Sequence, residues 1–279
     1  MAFFGAAMLL GGAGGVAHTQ TSLRDSPAVT WLAPPALRAA ADAVERYRAG
    51  VSAYERGDYS AAAREFFAAA DRGHPGAQYH LGVMHERGRG VPRDEGEAAK
   101  WYRRATEQGH PDAQFNLANM YAEGRGVRQS DAEAARWFRQ AAEQGDAPAQ
   151  ANLGSMYDTG RGVPRDEGEA AKWFRRAAEQ GISQSQSALG VMYLVGRGVS
   201  QSDAEAAQWF RRAAEQGNAL GQTNLGFMYE AGRGVPKDEA EAIRWFQRAA
   251  AQGDVRARQR LGELSDRPAP GATPTRPAR

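Results

Sequence analysis

The chain contains no cysteine, so it forms no disulfides, binds no zinc through thiolates and has no cysteine nucleophile. Lysine is nearly missing. Of the 35 basic residues only Lys100, Lys172 and Lys237 are lysines, and the rest are arginine. Charge of one sign is also lacking: 35 basic against 33 acidic residues leave a net charge of +2. A field that weak gives no reason to expect nucleic acid or an anionic lipid surface as partner. Histidine occurs at His18, His74, His80, His85 and His110, and nowhere beyond the first full repeat defined below. His80 and His85 are five apart, which does not put two imidazoles on one helix face for a metal. There is no Gly-x-Ser-x-Gly, Ser-x-x-Lys or His-Glu-x-x-His. The sequence therefore offers no catalytic, metal or cofactor constellation. The only apolar stretch near the N-terminus, from Phe3 to Leu10, is followed by Gly11-Gly12-Ala13-Gly14-Gly15 and is too short to span a bilayer.

What the chain does have is repetition. Leu81, Leu117, Leu153, Leu189 and Leu225 stand 36 residues apart. Gly-Arg-Gly-Val starts at Gly88, Gly124, Gly160, Gly196 and Gly232, and Trp101, Trp137, Trp173, Trp209 and Trp245 keep the same period. A period of this size marks a solenoid of supersecondary units, each too small to bury its apolar face alone. A second period lies above the first. Residues 88–105 match residues 160–177 at 17 of 18 positions and residues 124–141 at only 10, which points to duplication of a 72-residue pair.

Each unit reads as two helices. In the first helix, helix A, Ala77, Leu81, Met84 and His85 fall on one side at about 100° per residue and form its packed face. The small residue after each Leu (Gly82, Ala118, Gly154, Gly190, Gly226) admits a close approach by the second helix, helix B. Gly88-Arg89-Gly90 supplies the turn, and Val91 anchors it. The arginines of this turn (Arg89, Arg125, Arg161, Arg197, Arg233) are expected to meet carboxylates or solvent rather than a phosphate, because the loop follows a helix and lacks Gly-Lys-Ser/Thr. Helix B opens with a capping box: Asp94 with Glu97, Ser130 with Glu133, Asp166 with Glu169, Ser202 with Glu205, Asp238 with Glu241. Ala98, Trp101, Tyr102 and Ala105 then pack inward, and Gly109 ends the helix.

The unit closely resembles the Sel1-like repeat, a relative of the tetratricopeptide repeat. The resemblance rests on Ala-x3-Leu-Gly-x2-Tyr-x2-Gly-x-Gly-Val-x2-Asp-x3-Ala-x2-Trp-x3-Ala-Ala-x2-Gly, clearest from Ala149 to Gly181, and it covers residues 77–262. It implies an all-α fold, an α/α solenoid wound as a right-handed superhelix, and a role as a non-enzymatic adaptor or scaffold in protein complexes. Many exported bacterial members carry a disulfide in each repeat; this chain must rely on packing and caps.

The expected organisation is an export signal at 1–17, a linker at 18–36, an N-terminal capping hairpin at 37–76, five repeats (77–112, 113–148, 149–184, 185–220, 221–256), a C-terminal capping helix at 257–265 and a Pro-rich disordered tail at 266–279. In the first hairpin Glu65 takes the Trp position. The uncharged start, with Gly15-Val16-Ala17 offering small residues for cleavage, predicts a periplasmic or secreted protein. A cytoplasmic regulatory scaffold is the alternative if that segment is retained. A hydrolase acting on cell-wall or β-lactam-type substrates is the alternative from another class, and it needs a nucleophile or acid–base pair that the sequence does not display.

The face of helix A opposite its packed side varies from repeat to repeat while the frame does not. In related helical-hairpin solenoids this face lines the concave groove. The candidate groove residues are Tyr79, His80, Val83, Phe115, Asn116, Asn119, Asn152, Ser155, Val191, Leu194, Thr223, Asn224 and Phe227. Large apolar groups facing water mark partner surfaces. Asn116, Asn152 and Asn224, at one position of different repeats, can donate to and accept from a peptide backbone. The expected ligand is a protein or peptide segment bound by a monomer, with no nucleic acid, membrane insertion or cofactor.

Overall fold

The computed structural model describes residues 34–265. The export segment, most of the linker and the Pro-rich tail lie outside the described residues. Among the described residues there are 13 helices and no strand: α1 (Pro35–Glu55), α2 (Tyr59–Ala70), α3 (Pro75–Arg87), α4 (Glu95–Glu107), α5 (Pro111–Glu123), α6 (Asp131–Glu143), α7 (Ala147–Thr159), α8 (Glu167–Glu179), α9 (Ser183–Val195), α10 (Asp203–Glu215), α11 (Ala219–Ala231), α12 (Glu239–Ala251) and α13 (Val255–Ser265). Each packs on its sequence neighbours, and successive A helices touch at α1–α3 and α9–α11. The result is an all-α solenoid with its core along its length. Leu81, Leu117, Leu153, Leu189 and Leu225 are all fully buried.

Within a hairpin the close approach rests on the small residue after Leu. A Cβ on Gly154 would sit 2.8 Å from the Phe174 ring. Between hairpins, α8 divides its aromatic pair. Trp173 packs back with the cluster holding Leu117 and Leu153, whereas Phe174 packs forward with Leu189 and Phe210. Each repeat is thus welded to both neighbours, as a unit without a core of its own requires.

The two glycines of the turn have different duties. Gly160 ends α7 in the left-handed conformation, with its N–H donating to Met156 O. Gly162, at φ +70°, lies so close to the start of α6 that a Cβ there would stand 2.1 Å from the Asp131 carbonyl oxygen. The same contact recurs at Gly126, Gly198 and Gly234. The second glycine is therefore an inter-repeat contact as well as a turn residue.

One expectation about helix starts is corrected. The first half of the capping box is present: the Asp94 carboxylate accepts from Glu97 N–H at 2.9 Å and the Ser130 hydroxyl from Glu133 N–H at 3.3 Å. The reciprocal half is not used. The N-cap N–H of Asp94 donates to His85 O at 3.0 Å and that of Ser130 to Tyr121 O at 2.9 Å, which ties helix B to the last turn of helix A. The acidic side chains turn outward instead, Glu97 to Lys100 at 2.5 Å and Glu133 to Arg136 at 3.1 Å. The physical reason is that a helix-A carbonyl left open at its C-terminus already occupies the donor.

Helix A begins at Pro or a small residue, and its N-cap side chain changes along the chain. His74, His110, Asp146, Asn218 and Asp254 each accept from the N–H three residues on. Ile182, at the start of α9, cannot. Two of the five histidines are thereby explained as caps rather than ligands.

Candidate functional site: the helix-A face

The outward faces of the A helices carry a line of recesses. One, of about 590 Å³, is lined by Tyr79, Val83, Asn116 and several arginines. Another, of about 270 Å³, includes Asn119, Asn152, Ser155 and Arg161. A third, of about 530 Å³, includes Leu194, Asn224, Phe227 and Arg233. The structure thus gathers most of the candidate residues along one face. Asn116, Asn119, Asn152 and Asn224 are half-buried, Val191 and Leu194 likewise, and Ser155 is exposed.

Two candidates are corrected. Thr223 is fully buried, with its hydroxyl facing no partner, and Val83 is 8% exposed. Their positions point partly between neighbouring helices. The residue matching Thr223 one repeat earlier, Ser187, is also fully buried, its hydroxyl 2.9 Å from Asn218, the N-cap of α11. Thr223 cannot touch a ligand, and Val83 offers at most the floor of a recess.

The large apolar candidates are less open than their spacing suggests. Phe115 rests on Phe138 with ring centroids 5.8 Å apart, and Phe227 rests on Phe246 at 4.9 Å. Tyr79 stacks on His110 at 4.8 Å, and His80 stacks on Phe66 at 4.7 Å. His80 belongs to this aromatic packing, and burial holds its pKa below the usual histidine value. Among the described residues no group of His, Asp and Glu is placed to hold a metal. Val195 is a large apolar residue exposed on this face, at 59%.

Of the turn arginines, Arg89, Arg125, Arg161 and Arg233 line the same recesses, and the pairing of the row follows the 72-residue period. Arg125 reaches Glu86 at 2.6 Å and Arg197 reaches Asp158 at 3.2 Å, each 39 residues back. Arg161 and Arg233 instead grip Asp131 and Asp203, 30 residues back, each through two nitrogens at 2.7–3.0 Å. Arg233 beside Asp203 holds that carboxyl below the usual carboxylate range. The arginine row is thus a set of inter-repeat ties, and the two repeat types are tied differently.

Sequence reading missed a buried polar row. Gln78, Gln114, Gln150, Gln186 and Gln222 are nearly fully buried on the packed side of helix A, and each bonds to the glutamine that caps the C-terminus of a helix B, 30 residues later. The available signal was a glutamine at one position in every repeat, next to a residue that is small in each (Ala77, Ala113, Ala149, Ser185, Gly221).

Five copies of the Sel1 repeat are matched, at residues 75–110, 111–146, 147–182, 183–218 and 219–254. The chain belongs to the Sel1 repeat family. These repeats start two residues before the expected ones, at the first residue of each A helix. A Sel1 repeat protein from Oxalobacter formigenes is 31% identical, with a TM-score of 0.75 over 82% of this chain and 94% of that one. The protein c5321, a protective antigen of uropathogenic Escherichia coli strains with an SLR fold, is 41% identical, with a TM-score of 0.74 over 80% of this chain. The likeness spans about half of c5321, 48% of its chain. A rat protein, DAP3-binding cell death enhancer 1, is 49% identical over 49 residues, which is 18% of this chain and 10% of that protein. That likeness concerns little more than one repeat. Sel1-repeat proteins are generally non-catalytic scaffolds for protein interaction, and no described helix is long and apolar enough to cross a membrane.

Proposed function

We propose that this chain is a non-enzymatic adaptor that holds an extended segment of a partner protein along its helix-A face. The observation that carries the reading is the recurrence of one Asn–Arg pair in three recesses: Asn116 with Arg125, Asn152 with Arg161, Asn224 with Arg233. Each arginine is fixed by a carboxylate, so its remaining donors and the neighbouring amide form a preset polar step. Amides at one register of α5, α7 and α11, with Ala188 at that register of α9, can each donate to and accept from an extended backbone laid along this face.

The test is affinity capture with mass spectrometry on the wild type beside an Asn152→Ala/Asn224→Ala variant. Phe115 and Phe227 are left intact because they support Phe138 and Phe246. A partner held by the wild type and lost from the variant supports the reading. Identical partner sets from both proteins would show that binding occurs elsewhere. Export to the periplasm or beyond is part of the proposal, supported by the uncharged stretch Met1–Val16. A mature N-terminus at Met1 would favour the cytoplasmic scaffold.

A further inference from the structure

The arginine row has one member that is not neutralised. Arg125, Arg161, Arg197 and Arg233 each meet a carboxylate of another repeat. By the 72-residue period, the counterpart of Asp131 and Asp203 for Arg89 is position 59, which is a tyrosine. Arg89 accordingly donates to the Tyr54 hydroxyl at 3.0 Å and lies 5.3 Å from the Tyr59 ring centre. Among the described residues it has no carboxylate partner. The recess it lines, about 590 Å³, holds three more arginines, Arg87, Arg93 and Arg125, against only Glu86 and Glu95. Both of those carboxylates are already engaged: Glu86 by Arg125 at 2.6 Å and by the Tyr102 hydroxyl at 2.7 Å, Glu95 by Arg93 at 2.9 Å. Arg87 is exposed and makes no ion pair among the described residues. At its position the other repeats carry Glu123, Thr159, Val195 and Ala231, so only the first repeat places a positive charge there.

We infer that the recess at Arg87 and Arg89 is the acidic-residue subsite of the helix-A groove: it binds an Asp or Glu side chain of the peptide ligand and so sets the ligand's register. Two guanidinium groups without carboxylates beside a cavity of this size supply charge-assisted donors for such a group. Asn116, on the same recess, places the subsite at one end of the amide ladder. The inference rests on the groove reading, and its test separates the two.

Random dodecapeptides displayed on phage are selected on the full-length chain. Each winner is then measured against the wild type, Asn152→Ala/Asn224→Ala and Arg87→Glu/Arg89→Glu, with thermal melts of all three. The expected winners carry Asp or Glu, and their binding falls about tenfold or more on Arg87→Glu/Arg89→Glu, the factor expected when a charged hydrogen bond is lost. Replacing the acidic residue of a winner by Lys should restore binding to that charge-reversed variant, a gain that a merely unfolded protein cannot show. Winners that need Asn152 and Asn224 but carry no acidic residue and ignore Arg87→Glu/Arg89→Glu would overturn the subsite and leave the groove. Acidic winners that need Arg87 and Arg89 but not the asparagines would establish the subsite and remove the groove. Binding of acidic winners to both variants as to the wild type would overturn the inference.

Discussion

The side-chain amide of Gln180 donates to the side-chain carbonyl of Gln150 at 2.8 Å, across 30 residues of sequence. Gln150 is 4% exposed, and its own amide donates to Ala142 O at 3.0 Å. That carbonyl belongs to the last turn of α6, where it also accepts the Gly145 N–H at 3.1 Å. One side chain thus closes the end of the preceding helix B and receives the next one. The arrangement recurs with Gln186 and Gln216, and with Gln222 and Gln252, so three successive helices are fastened at each step.

Gln150→Leu keeps the volume and removes both bonds. The Ala142 carbonyl keeps the Gly145 N–H at 3.1 Å and the Gln180 amide keeps the Gly145 carbonyl at 3.0 Å, so the cost is that of the hydrogen bonds removed, about 0.5–1.5 kcal/mol each. Urea unfolding should show a lower midpoint. An unchanged midpoint would mean that water replaces the glutamine and that the ladder contributes nothing.

Gly162→Ala and Gly181→Ala separate the two demands on glycine. Both residues have positive φ, +70° and +94°, so each alanine bears a left-handed backbone cost of about 1–2 kcal/mol. Gly181 has nothing within 4 Å of a built Cβ, whereas Gly162 would meet the Asp131 carbonyl oxygen at 2.1 Å. Gly162→Ala should therefore destabilise clearly more than Gly181→Ala in parallel thermal melts. Equal losses would show that the turn can draw away from α6 at little cost.

The repeat, the helix breaks and the inward face of helix B were legible in the sequence because each depends on residues with one physical role. Leu, Trp and the turn glycines serve packing or backbone geometry, and the 36-residue period exposes them. What connects one repeat to the next was not legible. Whether Arg161 bonds Asp131 or the position used by Arg125 depends on three-dimensional register, which spacing alone does not give. The candidate groove residues show the same limit. Asn152 and Thr223 both sit on the variable side of helix A, yet one reaches a recess and the other is sealed beneath its neighbours. About 100° per residue defines a stripe on a helix, but the next helix decides which part of the stripe it covers.

Ile182 is a gap in an otherwise capped row, since Asp146 and Asn218 one repeat away on either side both cap their helices. Ile182→Asp should give α9 an acceptor for its first free N–H groups and place a negative charge at its positive end, raising stability by about 0.5–2 kcal/mol. Chemical denaturation checks it. A loss of stability would show that the half-buried Ile182 side chain contributes more by packing than a cap returns.

The imidazoles of His74 and His110 cap α3 and α5 only while Nδ1 is unprotonated, because each accepts a backbone N–H there, from Ala77 at 3.3 Å and Ala113 at 3.4 Å. Protonation removes the acceptor and sets a positive charge at a positive helix end. Burial is the leading cause that holds His74, His80 and His110 below the usual histidine pKa, and the charge of His110 adds to it at His74 and His80. Asp112 opposes the shift at His80 and His110, and Tyr47 stacks on His74 at 4.2 Å. A depressed native pKa means that the folded chain binds fewer protons than the unfolded one, so stability rises with pH. The contribution is complete above the ordinary histidine value of about 6.5 and is lost as pH falls through the lower native values. Hydrogen exchange should therefore show α3 and α5 opening more readily from pH 7 to pH 5, with a cost of about 0.5–2 kcal/mol for each cap lost, while α11, capped by Asn218, keeps its protection. In His74→Asn/His110→Asn the caps no longer titrate, and the pH dependence of α3 and α5 should flatten toward the remainder due to His80. Parallel profiles for wild type and variant would place the effect outside these two caps.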